Sequence, residues 1–139
     1  MAYWLFKSEP DVFGWSHQLA KGDTGEEWTG VRNYQARNNM RAMKVGDQGF
    51  FYHSNIGKEI VGVVEVTRLS APESQGTDPR WDCVDIRAVT DMPVAVTLEA
   101  VKNNPALADM ALVRLTRLSV QPVTPAEWKF ICKKLGVKA

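Results

Sequence analysis

The sequence has few residues of the types that build metal and redox sites. Its 139 residues include two cysteines, Cys83 and Cys132, and two histidines, His17 and His53. The cysteines lie far apart, and neither histidine has a cysteine or the other histidine at the spacing of a metal-binding motif. We therefore expect reduced cysteines in the core, no metal and no cofactor.

Long apolar runs and an extreme net charge are also missing. No apolar run approaches the about 18 residues of a transmembrane helix, and the N-terminal residues lack the basic region and the cleavage site of a signal peptide. We therefore expect no membrane partner and a cytoplasmic location. The net charge is +1, which argues against a protein that coats duplex nucleic acid with a uniformly basic surface.

Motifs of common nucleotide enzymes are absent from the sequence. It contains no G-x-x-x-x-G-K-[ST], no G-x-G-x-x-G, no G-x-S-x-G and no zinc-deaminase pair of H-x-E and P-C-x-x-C. His53 and Ser54 are adjacent, but neighbours on a regular strand point to opposite faces and cannot act as base and nucleophile. A hydrogen-bonded, partly buried His53 is the simpler interpretation; the alternative is a donor or stacking group at a pocket rim. We expect no enzymatic activity.

The composition and the hydrophobic periodicity predict one α+β domain over residues 1–139. The chain is 45% hydrophobic and 24% charged, as in ordinary globular domains. The patterns favour strands at 3–7, 48–54, 60–67, 82–90 and 112–120, and helices at about 8–20, 33–43, 97–103 and 124–136. This order contains no repeated βαβ unit, so we expect a small, curved, mostly antiparallel sheet flanked by helices.

The most distinctive segment is 28–40, with the sequence WTGVRNYQARNNM. Aromatic, amide and guanidinium groups alternate in it, and it contains no carboxylate. Such groups stack on nucleobases, bond to base edges and hold phosphates. Basic residues also accumulate from residue 110 onward, whereas residues 70–109 are mainly acidic. We expect a positive pocket between the two basic segments rather than a positive coat.

Each residue type in this segment also has a simpler structural role. Trp28 follows Gly-Glu-Glu and precedes Thr-Gly, which favours a base-stacking residue on a loop; alternatively, it folds back over the core. Asn33 is expected to cap the helix that follows it. Arg37 and Arg41 lie four residues apart, and a solvated helix face is their default role.

Several blocks of the sequence, in order, resemble the EVE domain family. The blocks are YWLFKSEP at 3–10, WTGVRNYQARN at 28–38, M-x-x-G-D at 43–47, FYHS at 51–54 and IVGVVEV at 60–66. Further matches extend the resemblance over almost the whole chain. The resemblance implies a PUA-like open β-barrel with flanking helices. It also implies a non-enzymatic module that binds nucleic acid carrying a modified base, with modified cytosine in DNA favoured.

The resemblance also implies a set of site residues by motif position. The expected base pocket is lined by Lys7, Ser8, Trp28, Asn33, Tyr34, His53 and Ser54, with Arg37 beside them. The arginines expected to contact the nucleic-acid backbone are Arg32, Arg37, Arg41, Arg114 and Arg117, of which the last two lie on the final predicted strand.

Two other functions share some of these features. A module for modified RNA, such as transfer RNA, would use the same aromatic, amide and cationic groups as a reader of DNA. A hydrolase acting on a modified nucleotide would use His53 with a carboxylate such as Glu9. The sequence offers no nucleophile or metal constellation to support the hydrolase.

Overall fold

The computed structural model describes residues 2–74 and 76–136. Within them six strands form one sheet in the order β2-β5-β4-β3-β1-β6. Strands β1 and β3 are parallel, and the other neighbouring pairs are antiparallel. The sheet is open, with β2 and β6 at its edges. The strands are β1 (Tyr3–Ser8), β2 (Glu26–Glu27), β3 (Gln48–His53), β4 (Glu59–Pro72), β5 (Asp82–Thr97) and β6 (Val120–Val123).

Short helices pack against both faces of this sheet, which confirms the predicted α+β class, and the sheet is not closed into a barrel. The longest helix, α3, has nine residues. The helices are α1 (Pro10–Phe13), α2 (Trp15–Ala20), α3 (Tyr34–Ala42), α4 (Leu98–Lys102), α5 (Ala111–Arg114) and α6 (Pro125–Phe130), which continues as a π-helical turn at Ile131–Leu135. In the described residues we find no helix long and apolar enough to cross a membrane.

Side-chain alternation along the central strands produces two hydrophobic clusters, one on each face. Trp4 and Phe6 of β1 belong to the first cluster, together with Met40 of α3. Leu5 points the other way, into a second cluster that includes Trp128 of α6. Successive residues of a strand face opposite sides, so a strand that is apolar at every position separates two cores.

The predicted N-cap at Asn33 is confirmed, and Thr97 and Thr124 cap two further helices in the same way. A side-chain oxygen at each N-cap accepts a backbone N–H three residues later, as the capping pattern predicts. The pairs are Asn33 with Ala36, Thr97 with Ala100 and Thr124 with Glu127.

The helix predicted at about 8–20 is wrong in its start and its continuity. Ser8 ends β1, and its hydroxyl donates to the Phe13 carbonyl at 2.7 Å instead of capping a helix. Gly14 then adopts an extended conformation that separates α1 from α2. A Cβ at Gly14 would lie 2.9 Å from the Pro10 carbonyl oxygen, so the sharp break between the two helices depends on glycine.

The strand predicted at 112–120 is also wrong. Residues Ala111–Arg114 form α5, and the last strand begins at Val120. Strict alternation would place Leu112 and Leu118 on one face, but they pack into opposite clusters. The buried Gln121 amide donates to the carbonyls of Ala111 and Leu115, a tertiary contact that stabilises the helical turn.

A close contact between Trp15 and Gly62 fixes α2 on the sheet. The Trp15 ring lies so near Gly62 that a Cβ there would overlap it. In this position the Trp15 indole N–H donates to Asp91 Oδ1 at 2.7 Å, and its backbone N–H donates to His53 Nε2 at 3.0 Å. The absence of a side chain at Gly62 therefore lets Trp15 pack closely and sets the position of α2.

We predict that Gly62→Ala destabilises the protein, because the added methyl forces the Trp15 ring out of place. Overpacking of this kind costs about 1–3 kcal/mol, measured as the free energy of unfolding in urea. The control is Val89→Ala, since Val89 is 43% exposed on β5 and should change stability by about 0.5 kcal/mol or less. Equal effects of the two substitutions would contradict this role of Gly62.

Candidate functional site

A cleft opens where β1 ends, between α1 and the loop at residues 28–33. Its volume is about 440 Å³, within the roughly 300–1,000 Å³ range of small-molecule pockets. It is lined by Lys7 and Ser8 of β1, by Val12 and Phe13 of α1, by residues 26–32 and by Ser119. The structure thus brings together three of the predicted pocket residues, Lys7, Ser8 and Trp28.

Trp28 is a core residue, so the interpretation of an exposed stacking residue is wrong. Only 7% of its surface is exposed. Its ring packs edge-to-face against Phe6, Phe13 and Phe51, with centroids 5.5, 6.0 and 5.7 Å away. Sequence neighbours suggested exposure, but burial of a large aromatic ring is strongly favourable. Trp28 lines the inner part of the cleft and offers little ring surface for stacking.

Lys7 borders both the cleft and a separate depression, and its ammonium group pairs with no acid among the described residues. Its Nζ donates to the Thr116 carbonyl at 2.8 Å, and burial lowers the pKa of its ammonium group. Next to it, the Ser8 hydroxyl donates to Phe13, so its oxygen lone pairs can still accept a bond. Because Lys7 and Ser8 are neighbours on β1, their side chains point to opposite faces of the strand. The Ser8 hydroxyl lies beside Phe13, which lines the cleft, whereas the Lys7 ammonium lies beside Thr116, which lines the separate depression.

The arginines of the distinctive segment are largely paired with acids from elsewhere in the chain. Arg32 makes a two-pronged contact with Glu73, both N–O distances being 2.9 Å. Arg41 pairs with Asp82 at 2.8 Å. The positive charge expected from the segment is therefore neutralised at these two positions. The acids lie about forty residues away in sequence, so the segment alone did not reveal them.

Tyr34 and Trp81 form a stack outside the cleft. Their ring centroids are 5.0 Å apart, with 25° between the planes. Arg37 lies 4.7 Å from the Tyr34 ring centre, and Arg32 lies 5.3 Å from that of Trp81. This group joins α3 to the loop between β4 and β5. Tyr34, Arg32 and Arg37 therefore have structural contacts with other side chains of the protein.

The structure does not bring His53 and Ser54 into the cleft. Of the residues described, Ser54 lines a separate depression of about 160 Å³ beside Lys7. His53 accepts the Trp15 backbone N–H on Nε2. Burial lowers the pKa of His53, and Glu59 opposes that shift. The prediction of a partly buried, hydrogen-bonded histidine is confirmed.

The remaining predicted residues, Asn33, Arg114 and Arg117, do not line the cleft. Asn33 and Arg117 border a shallow depression that also includes Gln35. Arg114, at the end of α5, pairs with Asp109 at 3.2 Å. Neither Arg114 nor Arg117 lies on a strand, because the predicted strand is replaced by α5 and a turn.

No group of three His, Cys, Asp or Glu side chains among the described residues has the geometry of a metal site. Cys83 and Cys132 are both free thiols, as expected from their separation. Burial raises the pKa of Cys83 to about 12, so this group stays a thiol at neutral pH. Neither cysteine therefore has the properties of a reactive thiolate.

Comparison with known proteins identifies the family. A model described as EVE domain matches residues 2–134. The chain belongs to the EVE domain family. Thymocyte nuclear protein 1 of Mus musculus is 36% identical to this EVE domain over a 161-residue alignment, which covers 93% of this chain and 71% of the mouse protein. The resemblance inferred from the sequence blocks is confirmed.

Two solved structures resemble this EVE domain closely. A crystal structure of a protein from Agrobacterium tumefaciens has 62% sequence identity and a TM-score of 0.96, and the match covers 99% of this chain and 94% of that one. The crystal structure of human THYN1 protein in complex with DNA containing 5-methylcytosine has 31% identity and a TM-score of 0.87, with 100% and 99% of the chains covered.

Sequence reasoning missed several residues that line the cleft of this EVE domain. Val12 and Phe13 of α1, Glu27 of β2 and Ser119 before β6 all border it. Glu73 was missed as the partner of Arg32. Val12 and Ser119 carry no distinctive chemical signal in sequence, and only the path of the backbone places them opposite the Trp28 loop.

We predict that Trp28→Ala lowers the free energy of unfolding by about 3–5 kcal/mol, the usual cost of removing a buried aromatic side chain. The matched control is Tyr34→Ala. Tyr34 is 51% exposed, and loss of its stack should cost about 0.5–1.5 kcal/mol. Urea unfolding measures both. A smaller effect for Trp28 than for Tyr34 would show that Trp28 is not the anchor of this loop.

Proposed function

We propose that this EVE domain binds nucleic acid and accepts a modified base, with modified cytosine in DNA favoured, in the cleft at the end of β1. One observation carries the proposal. The cleft combines polar groups with apolar surface and is bordered by Lys7, in a chain whose relative, human THYN1 protein, was crystallised with DNA containing 5-methylcytosine.

The cleft offers complementary chemistry to cytosine. Cytosine presents an N4 amino donor, and carboxylates are suitable acceptors for it. Glu27 borders the cleft, and its Oε1 accepts the Ser74 backbone N–H at 2.6 Å. Hydrogen bonding from Ser74 keeps the pKa of Glu27 below its ordinary value, so it is ionised at neutral pH. Val12 and Phe13 supply apolar surface for the ring and for a C5 methyl group. Burial of that methyl contributes about 0.8 kcal/mol.

A base that enters such a cleft must first leave its stack, which costs a few kcal/mol. Because Trp28 is buried, apolar contact with Val12 and Phe13 replaces a stack on the indole face in this proposal. Lys7 contributes a charge-assisted contact with the nucleotide. Arg32 and Arg41 are paired with acids, so contacts with the nucleic-acid phosphates contribute modestly to the binding free energy in this proposal. Base recognition then supplies a larger share of the affinity.

We also propose that the domain binds without chemical turnover. The lone pair on His53 Nε2 already accepts the Trp15 N–H, so it is not available to take a proton from a substrate. Glu9, the carboxylate suggested as its partner, lies at the N-cap of α1. The hydrolase alternative would have to disrupt this arrangement.

We predict that a DNA oligonucleotide with one 5-methylcytosine binds about fourfold tighter than the same oligonucleotide with cytosine, from the roughly 0.8 kcal/mol of methyl burial. Fluorescence anisotropy at fixed salt measures the affinities for single strands and duplexes. Thymine at the same position keeps the methyl and loses the amino group, so it should bind more weakly than 5-methylcytosine.

An RNA oligonucleotide of the same sequence and modification tests the alternative nucleic acid. Tighter binding of this RNA than of the DNA would replace DNA by RNA as the preferred ligand. Equal affinity for cytosine, 5-methylcytosine and thymine would overturn the proposal of base recognition, and product formation during incubation would overturn the proposal of binding alone.

We predict that Lys7→Met weakens oligonucleotide binding about tenfold, because a charge-assisted contact is worth roughly 1.5 kcal/mol or more. The slope of log affinity against log salt should also fall by about 0.7 for a single strand. Lys129→Met removes the same charge from an exposed position on α6 and serves as the control. Similar losses in the two variants would show that Lys7 acts only through net charge.

A further inference from the structure

Three N–H donors of the cleft loop converge on one carboxylate. The Arg32 guanidinium donates from Nη1 and Nη2 to the two oxygens of Glu73, both at 2.9 Å. The Gly30 backbone N–H donates to Glu73 Oε2, also at 2.9 Å. The Glu73 side chain is 8% exposed, whereas that of Arg32 is 51% exposed. The Glu73 carboxylate is thus nearly buried, whereas the Arg32 guanidinium that binds it remains exposed to solvent.

This donor set is suited to a phosphate as well as to a carboxylate. The planar guanidinium matches two phosphate oxygens in a fork, and a backbone N–H adds a third bond without a side chain. Gly30 has φ of +81°, and no heavy atom lies within 4 Å of the place where its Cβ would be. Open space therefore adjoins the Gly30 backbone that supplies the third donor.

The position of Glu73 relates this anion site to the base cleft. Thr29, Gly30 and Arg32 line the base cleft and also a neighbouring depression of about 570 Å³, which Glu73 and Trp81 border on its other side. The three donors thus lie on the wall between two open spaces. A nucleotide with its base in the cleft would have a phosphate near this wall.

We propose that Glu73 is an internal phosphate mimic, whose carboxylate occupies the Arg32 and Gly30 anion site until a backbone phosphate of bound nucleic acid displaces it. The choice of nucleic acid as the displacing ligand rests on the proposed function. In this proposal the Glu73 side chain rotates into the neighbouring depression, which it borders. The Glu73 backbone stays in place, because its N–H donates to the Trp81 carbonyl at 3.2 Å.

Occupation of the anion site by Glu73 lowers the affinity for any ligand that binds through phosphate alone. A carboxylate that fills the site nine-tenths of the time lowers the apparent phosphate affinity about tenfold. Hydrogen bonding from Arg32 keeps the pKa of Glu73 below its ordinary value, so the competitor is charged at neutral pH. Nucleic acid without a suitable base would then bind weakly, whereas a base that fits the cleft would offset the penalty.

A purely structural ion pair makes the opposite prediction. If Glu73 only holds the loop, its neutralisation loosens the cleft and weakens binding. Glu73→Gln distinguishes the two, because glutamine has nearly the same shape and its carbonyl can still accept from Arg32 and Gly30. Glu65→Gln is the matched control. Glu65 also pairs with an arginine, Arg87 at 3.1 Å, and strand alternation places it on the sheet face opposite Val64 and Val66.

The first experiment uses inorganic phosphate, which has no base. In amide NMR titrations, the Gly30 signal of Glu73→Gln should shift saturably with phosphate, and the dissociation constant should be about tenfold lower than in wild type and in Glu65→Gln. The double variant Arg32→Met with Glu73→Gln should lose this response. Absence of a Gly30 response in Glu73→Gln, or its persistence in the double variant, would overturn the phosphate mimic.

The second experiment uses an unmethylated single-stranded DNA and its 5-methylcytosine counterpart. Glu73→Gln should bind the unmethylated strand about tenfold tighter than wild type, with a salt slope steeper by about 0.7, while the preference for 5-methylcytosine persists. If Glu73→Gln binds the DNA more weakly than wild type and keeps the preference for 5-methylcytosine, the phosphate-mimic proposal is overturned and the base-recognition proposal is not. Loss of preference in every variant, with the phosphate response intact, would overturn base recognition alone.

Discussion

The packing of the Trp28 indole against Phe6, Phe13 and Phe51 is the contact on which the candidate site depends. It ties the loop that follows β2 to β1, α1 and β3 at once, and the Trp28 backbone N–H also donates to the Val84 carbonyl at 2.9 Å. With side chain and backbone both held, the next residues leave the core along a defined path. That path forms one wall of the cleft, so a core contact determines the shape of a surface feature.

Charge pairing over long sequence distances is the second constraint on the site. The acids that neutralise Arg32 and Arg41 come from the end of β4 and the start of β5, which fold back over the segment that contains the arginines. An apparently basic segment therefore contributes little uncompensated charge. Lys7, half-buried and bonded to a backbone carbonyl, is a cation beside the cleft that pairs with no acid among the described residues.

Features that depend on neighbours along the chain were predictable from the sequence. The caps at Asn33, Thr97 and Thr124 need only a side-chain oxygen and a backbone N–H three residues later, and all three are present. The Met43 to Asp47 block is different. Its Asp47 is buried and accepts the Trp4 indole N–H at 3.0 Å, a contact across 43 residues. The block was recognisable as a family motif, but its structural role was not.

The sequence by itself determined the family, the α+β class, most of the strands and the helix caps, because alternation, capping and motif order are local properties of the chain. Tertiary structure alone decided that Trp28 is buried, that residues 111–114 are helical, that His53 lies apart from the cleft and that Glu73 meets Arg32 and Gly30. Each of these outcomes depends on groups that are distant in sequence, and their contact energies exceed the local preferences that favoured another arrangement.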